Sequence, residues 1–338
     1  MIKNGMRKRV SYLLSSVAGV ALLVGIIYYI GWGDIYTPII KLGIDGLAVL
    51  FLTALISASA GIASWWIILR SYGIKIPLRT VCGSRLSGQA ISYLTPSMYI
   101  GGEPVRALLV FGRTTTPKTR IAATIIVERF LSGLSFIVFI LVGTTAALIA
   151  PAISTQARIL VLTGTLFIGG WLIVGLVNFA GNRKWISKFV RKLERRFPRK
   201  RFLSKAAEKI AETEEEIYVA FTAHRRGVFV AFLIQSVATF FIYLRPYLFF
   251  YFVRGMGFTL SQLSLLFTLN IMLSLFLWLT PGGIGIAEGG RIGIFALVGV
   301  SRGGAVAFSL IIGFLELLFV AVGLSYLLHR GIHRRRSP

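Results

Sequence analysis

The chain has 338 residues, with 37 Lys and Arg against 12 Asp and Glu, a formal charge of +25. Apolar residues make up 56%, charged residues only 14%, and mean hydropathy is +0.79. These figures exclude intrinsic disorder and a soluble α/β enzyme, because a soluble domain usually carries about 25% charged residues. The apolar residues fall in blocks of about 20, the length an α-helix needs to cross a bilayer. The fold class expected is therefore an all-α polytopic membrane protein.

The first block, residues 10–31, follows Lys3, Arg7, Lys8 and Arg9. Its apolar run is too long for a secretory signal and no small-residue cleavage site follows, so it reads as an uncleaved first helix with its N-terminus inside. Further spans are expected at 46–69, 121–149, 157–179, 227–253 and 304–328, each with Lys or Arg near one end. Two regions, 80–112 and 260–300, are apolar but broken near the middle by Pro and Gly. The halves of the first are too short to span and predict a re-entrant hairpin. Those of the second, at about 20 residues each, leave two full spans open. Six spans plus two hairpins place both termini on the cytoplasmic side of the cell membrane. The expected external loops then hold Asp34, Lys41, Asp45, Arg158 and little else, while the 183–226 loop holds 14 Lys and Arg against 6 Glu.

Within that loop two stretches are apolar at helical spacing, one with Trp185, Ile186, Phe189, Val190, Leu193 and Phe197, the other with Leu203, Ala206, Ala207, Ile210, Ile217, Tyr218 and Phe221. Both read as amphipathic helices, either lying on an anionic leaflet or forming an ordinary solvated loop. Positive charge of this kind collects on cytoplasmic loops, and no nucleic-acid partner is expected. A lone Cys82 excludes a disulfide framework, and His224, His329 and His333 have no metal-ligand spacing at membrane depth. No metal or cofactor is expected.

The two broken regions resemble each other. LTPSMYIGGEPVR (94–106) and LTPGGIGIAEGGR (279–291) align Pro96 with Pro281, Glu103 with Glu288 and Arg106 with Arg291 at one constant offset. The units 46–149 and 227–328 then have opposite topology, and inverted repeats with broken helices are a transporter architecture. Outside the loops only Glu103, Glu128, Glu288 and Glu316 remain as carboxylates, with Arg106, Arg129, Arg245 and Arg291 also at membrane depth. Ionised groups there are costly, face the bundle interior and pair. Glu103/Arg106 and Glu288/Arg291 are each spaced i, i+3, which predicts two intrahelical pairs. Either pair serves a substrate or only satisfies itself; the sequence leaves both open. Arg129 lies near enough to the cytoplasmic end to snorkel. Arg245 precedes Pro246 within a span and could meet an anion or neutralise a Glu. Gly101, Gly102, Gly282, Gly283 and Gly285 flank the breaks, where a half-helix would aim backbone N–H groups at a phosphate.

The segments RLSGQAISYLTPSMYIGGEPVR, VERF (127–130) and LTPGGIGIAEGG look like those of the lysylphosphatidylglycerol synthase transmembrane, or flippase-like, family. The resemblance covers nearly the whole chain. Carried over position by position, it marks Arg85, Pro96, Gly101, Gly102, Glu103, Arg106, Glu128, Arg129, Pro281, Gly282, Gly283, Gly285 and Glu288. The chain ends about ten residues after the last expected span, so the resemblance implies the translocating part rather than the aminoacyl-transferase of larger relatives. It also implies membrane lipids as partners, either phospholipids or lipids linked to polyprenyl phosphate, and leaves a homo-oligomer open. Two other readings stay open: a membrane subunit that recruits a partner through 183–226, and an intramembrane lipid-headgroup enzyme with Glu128 or Glu288 as base.

Overall fold

A computed structural model describes residues 2–95, 101–149, 154–196, 202–255 and 257–336. These residues form helices, with no strand among them. The chain is a multi-pass membrane protein by composition and architecture together. Five helices are long and apolar enough to cross a bilayer: α2 (Trp32–Ser71), α5 (Lys118–Ile149), α6 (Thr155–Ala180), α9 (Arg225–Arg254) and α12 (Arg302–Arg336). The first expected span falls in α1 (Ile2–Ile30), whose apolar part is Leu14–Ile30.

The stretch 32–45, expected as an external loop, is instead helical. Gly31, at φ 90°, separates α1 from α2, and α2 kinks at Gly43 (φ 65°). Asp34 sits in the first turn of α2, where a negative charge suits the helix dipole.

The first broken region is a hairpin of α3 (Leu78–Leu94) and α4 (Glu103–Phe111). The second is a hairpin too. α10 (Leu260–Ser274) and α11 (Ile286–Ala296) have 15 and 11 residues, about 22 and 16 Å of helix against a hydrocarbon core of about 30 Å. The sequence had left two full spans open here. The apolar run overstates helix length because residues 277–283 are spent on two 3-10 turns, with Gly282, Gly283 and Gly285 all at positive φ.

Helices α2 and α9 pack along their lengths and carry two separate apolar cores. One gathers Trp65, Ile68 and Leu69 of α2 with Ile121 and Val127 of α5 and Ala231 of α9. The other gathers Leu50 of α2, Phe249 and Phe250 of α9, Phe295 of α11 and Phe308 of α12. Between these cores, at mid-length of α2, α9 and α12, the packing is interrupted.

The two amphipathic stretches are α7 (Trp185–Arg196) and α8 (Phe202–Thr222), as the spacing predicts. Their faces have different fates. The apolar face of α8 is not available to a leaflet: Ile217 and Ala220 are buried in the first core. The Tyr72 hydroxyl donates to the Glu216 carbonyl, Arg120 Nε donates to the Glu216 carboxylate at 2.9 Å, and the Tyr72 ring lies against His224. Helix α7 is held by α8 through Glu214. That buried carboxylate accepts from the backbone N–H groups of Ile186 and Ser187, both at 3.1 Å, in the first turn of α7. Substituting Glu214→Ala removes this cap. Cap losses of about 1 kcal/mol predict roughly fivefold faster tryptic cleavage within α7, read by timed proteolysis with the bundle otherwise intact.

Candidate functional site

Five charged side chains from three helices join into one cluster. Glu128 of α5 is fully buried and accepts from Arg85 of α3 at 2.6 Å and from Arg106 of α4 at 3.0 Å. Arg106 also bonds Glu103 at 2.9 Å, so the expected i, i+3 pair of the first hairpin is present. Glu103 in turn accepts from Arg129 at 2.5 Å. The order is therefore Arg85, Glu128, Arg106, Glu103, Arg129, alternating in sign. Taking such charges out of water is tolerable only because each meets an opposite one. Arg106 is wholly buried, its guanidinium 4.2 Å from the Trp65 ring centroid. It is not among the residues that line the two cavities described below. Gly102 closes this hairpin. Its N–H donates to Ser92 Oγ at 2.9 Å, and its backbone lies directly against the Gly88 carbonyl. Gly101 adjoins it, half-buried, and Pro96 lies outside the described residues.

The second hairpin is built differently, and the expected Glu288/Arg291 pair is not formed. Glu288 Oε2 accepts the Gly285 N–H at 2.7 Å, capping α11 from its own first turn. Arg291 Nε donates to Asn270 Oδ1 of α10 at 3.1 Å. The N-terminus of α11 therefore has the Glu288 carboxylate at the end where the sequence places a phosphate. A carboxylate at N3 reaches its cap more readily than an Arg one turn further on. Pro281 opens the second 3-10 turn, and the hairpins meet where Gly282 packs on the Tyr93 side chain.

Two cavities lie in the gap between the cores. The larger, about 370 Å³, is lined by Arg85 and Gln89 of α3, Arg129 of α5, Arg245 of α9, Ser57 of α2 and Glu316 of α12. Arg245 donates to Ser57 Oγ at 2.9 Å. The smaller, about 230 Å³, is lined by Glu288, Arg291, Ser309 and Glu316. Tyr93 and Glu316 line both. Glu103, Glu128 and Glu288 are each committed to a donor, whereas the Glu316 carboxylate has no hydrogen bond or ion pair among the described residues. It stands between Arg245 in one cavity and Arg291 in the other. Leu23, Phe314 and Leu317 make one wall of the smaller cavity apolar, and the last two are about half exposed on the outside of the bundle.

Residues 16–323 match the family described as the lysylphosphatidylglycerol synthase TM region. The chain belongs to that family. A UPF0104 membrane protein of Methanothermobacter thermautotrophicus is 28% identical to this member of the lysylphosphatidylglycerol synthase TM region family over 301 residues, covering 84% of this chain and 85% of the relative. No solved structure matches the chain. A family described by the membrane region of a lipid-related protein agrees with polar cavities inside an apolar bundle.

Sequence reasoning missed Tyr93, Gln89, Ser57 and the Trp65 ring. A signal was there. Arg85, Gln89, Ser92 and Tyr93 repeat at i, i+4, i+7 and i+8, which is one helix face. Ser57, Gly61 and Ser64 make a similar stripe on α2.

Proposed function

We propose that this protein is a flippase-like lipid translocase of the cell membrane, with both termini cytoplasmic. In this reading it passes the headgroup of a phosphate-bearing lipid between leaflets while the lipid's chains stay in the bilayer. The observation that carries this reading is the larger cavity: three guanidinium groups, Arg85 of α3, Arg129 of α5 and Arg245 of α9, line it together with Glu316 of α12, and α5, α9 and α12 are otherwise apolar. A charged group at that depth has a cost, so it needs an anion or a counter-charge to persist. Planar guanidinium donors suit phosphate oxygens better than ammonium groups do. The half-exposed Phe314 and Leu317 offer the apolar boundary along which chains would slide.

The repeat supports two states. The units 46–149 and 227–328 are read as inverted copies whose hairpins meet at Tyr93 and Gly282. Glu316 pairs with Arg245 in one state and Arg291 in the other, so a lipid phosphate takes whichever guanidinium is released.

The test is leaflet exchange in proteoliposomes, with headgroup-labelled phospholipid and polyprenyl-phosphate probes and an impermeant quencher. Wild-type protein is expected to exchange at least one probe. Arg245→Gln keeps a donor for Ser57 but loses the charge. The loss of one charge-assisted bond to phosphate, about 1.5–3 kcal/mol, predicts exchange about ten- to hundredfold slower. Equal exchange by both proteins would indicate non-specific scrambling. No exchange of any probe by folded protein would favour a partner-recruiting subunit.

A further inference from the structure

We infer that α7, and not α8, is a docking surface for an anionic lipid leaflet. The inference is independent of what the central cavities carry. At about 100° per residue, Trp185, Ile186, Phe189 and Leu193 fall within one arc of α7, and all four are exposed, Phe189 at 65%. Ser187 and Val190 occupy the other flank, where Ser187 is buried and capped by Glu214 of α8. The apolar arc is thus turned away from the rest of the chain by a fixed contact.

Basic residues complete the surface. Lys188, Arg191, Lys192, Arg195 and Arg196 are exposed, and none makes an ion pair among the described residues. Glu194 is the single acidic residue of the helix. An apolar arc beside unpaired Lys and Arg is the pattern of a helix lying in a headgroup layer, where each basic residue near an anionic surface adds to binding.

Position makes a leaflet the occupant. α7 begins five residues after α6 ends, and Asn178 of α6 accepts the Trp185 N–H at 2.9 Å. The exposed apolar strip of α6, which includes Trp171, Val174 and Val177, leads to that junction. The face of α7 therefore continues a surface that already meets hydrocarbon chains. α8 cannot share the role, since its apolar side is buried in the first core.

The test places an environment-sensitive fluorophore on Phe189→Cys in a Cys82→Ser background, with the full-length protein in nanodiscs. A second probe on Glu208→Cys, exposed on α8, gives the aqueous reference. In discs of phosphatidylcholine with phosphatidylglycerol, the Phe189 probe is expected to shift to the blue and be quenched by lipid-tethered quenchers, while the Glu208 probe is not. Lys188→Glu with Lys192→Glu, both at exposed positions, should reverse the shift, as should high salt. A Phe189 probe that stays aqueous in anionic discs would overturn the inference. So would burial equal in pure phosphatidylcholine and unmoved by the charge reversal. Protection seen only after adding an acidic soluble protein would assign the surface to a protein partner instead, and would also overturn it.

Discussion

Glu128→Ala is expected to be among the most damaging single substitutions in this chain. It strips Arg85 and Arg106 of the carboxylate that both share, at 2.6 and 3.0 Å, in a site with no solvent exposure at Glu128. Removing one partner of a buried ion pair costs about 3–5 kcal/mol, most of it the stranded opposite charge. Arg106 is the more vulnerable, because its Nε and Nη2 already lack hydrogen-bond partners among the described residues. The cost should appear as a large drop in the thermal midpoint in detergent, followed by size-exclusion chromatography of heated samples. Adding Arg85→Gln to Glu128→Gln lowers the excess positive charge and should recover part of the loss. A Glu128→Ala protein with the wild-type midpoint would show that the cluster contributes nothing to stability.

Gly102→Ala is expected to separate the arms of the first hairpin. A Cβ at this position falls inside van der Waals contact of the Gly88 carbonyl and 2.7 Å from Ser92 Oγ. Overpacking usually costs about 1–3 kcal/mol, and backbone against backbone belongs at the upper end because neither side can rotate away. The displacement would also draw Arg106 off Glu128, since Gly102 immediately precedes α4. Gly112→Ala, at the other end of the same helix, meets open space at ordinary helical φ. It should leave the midpoint unchanged or raise it slightly. Thermal midpoints of the two variants, measured side by side, check the contrast; similar losses would refute the close-approach argument.

The architecture was legible in the sequence because bilayer-spanning helices are long and uniformly apolar, so length alone locates them. The first hairpin was legible for the same reason, as were the Glu103/Arg106 pair and the two amphipathic helices. Four features were not. The length of the second hairpin's arms depends on where backbone leaves the helix, and apolar glycine-rich sequence does not mark that point. The fate of Glu288 depends on a competition between Arg291 and a backbone N–H, and both lie within reach by spacing. α7 and α8 carry similar patterns, but only tertiary packing decides which face is covered. The pairing of Glu128 with Arg85 and Arg106 joins residues 43 and 22 positions apart, and no local periodicity announces it.

The formal charge of the side chains in and beside the cavities has an electrical consequence. Arg85, Arg106, Arg129, Arg245 and Arg291 stand against Glu103, Glu128, Glu288 and Glu316, five positive against four negative. These nine side chains therefore carry one formal positive charge in excess. If it moved through the whole membrane field, that charge would do work of about 2.3 kcal/mol per 100 mV. In the translocase proposed above, a bound phosphodiester, with one negative charge, would cancel it. The loaded protein would then reorient without moving net charge, while the empty protein would not, so voltage would act on the return step and leave the carrying step alone.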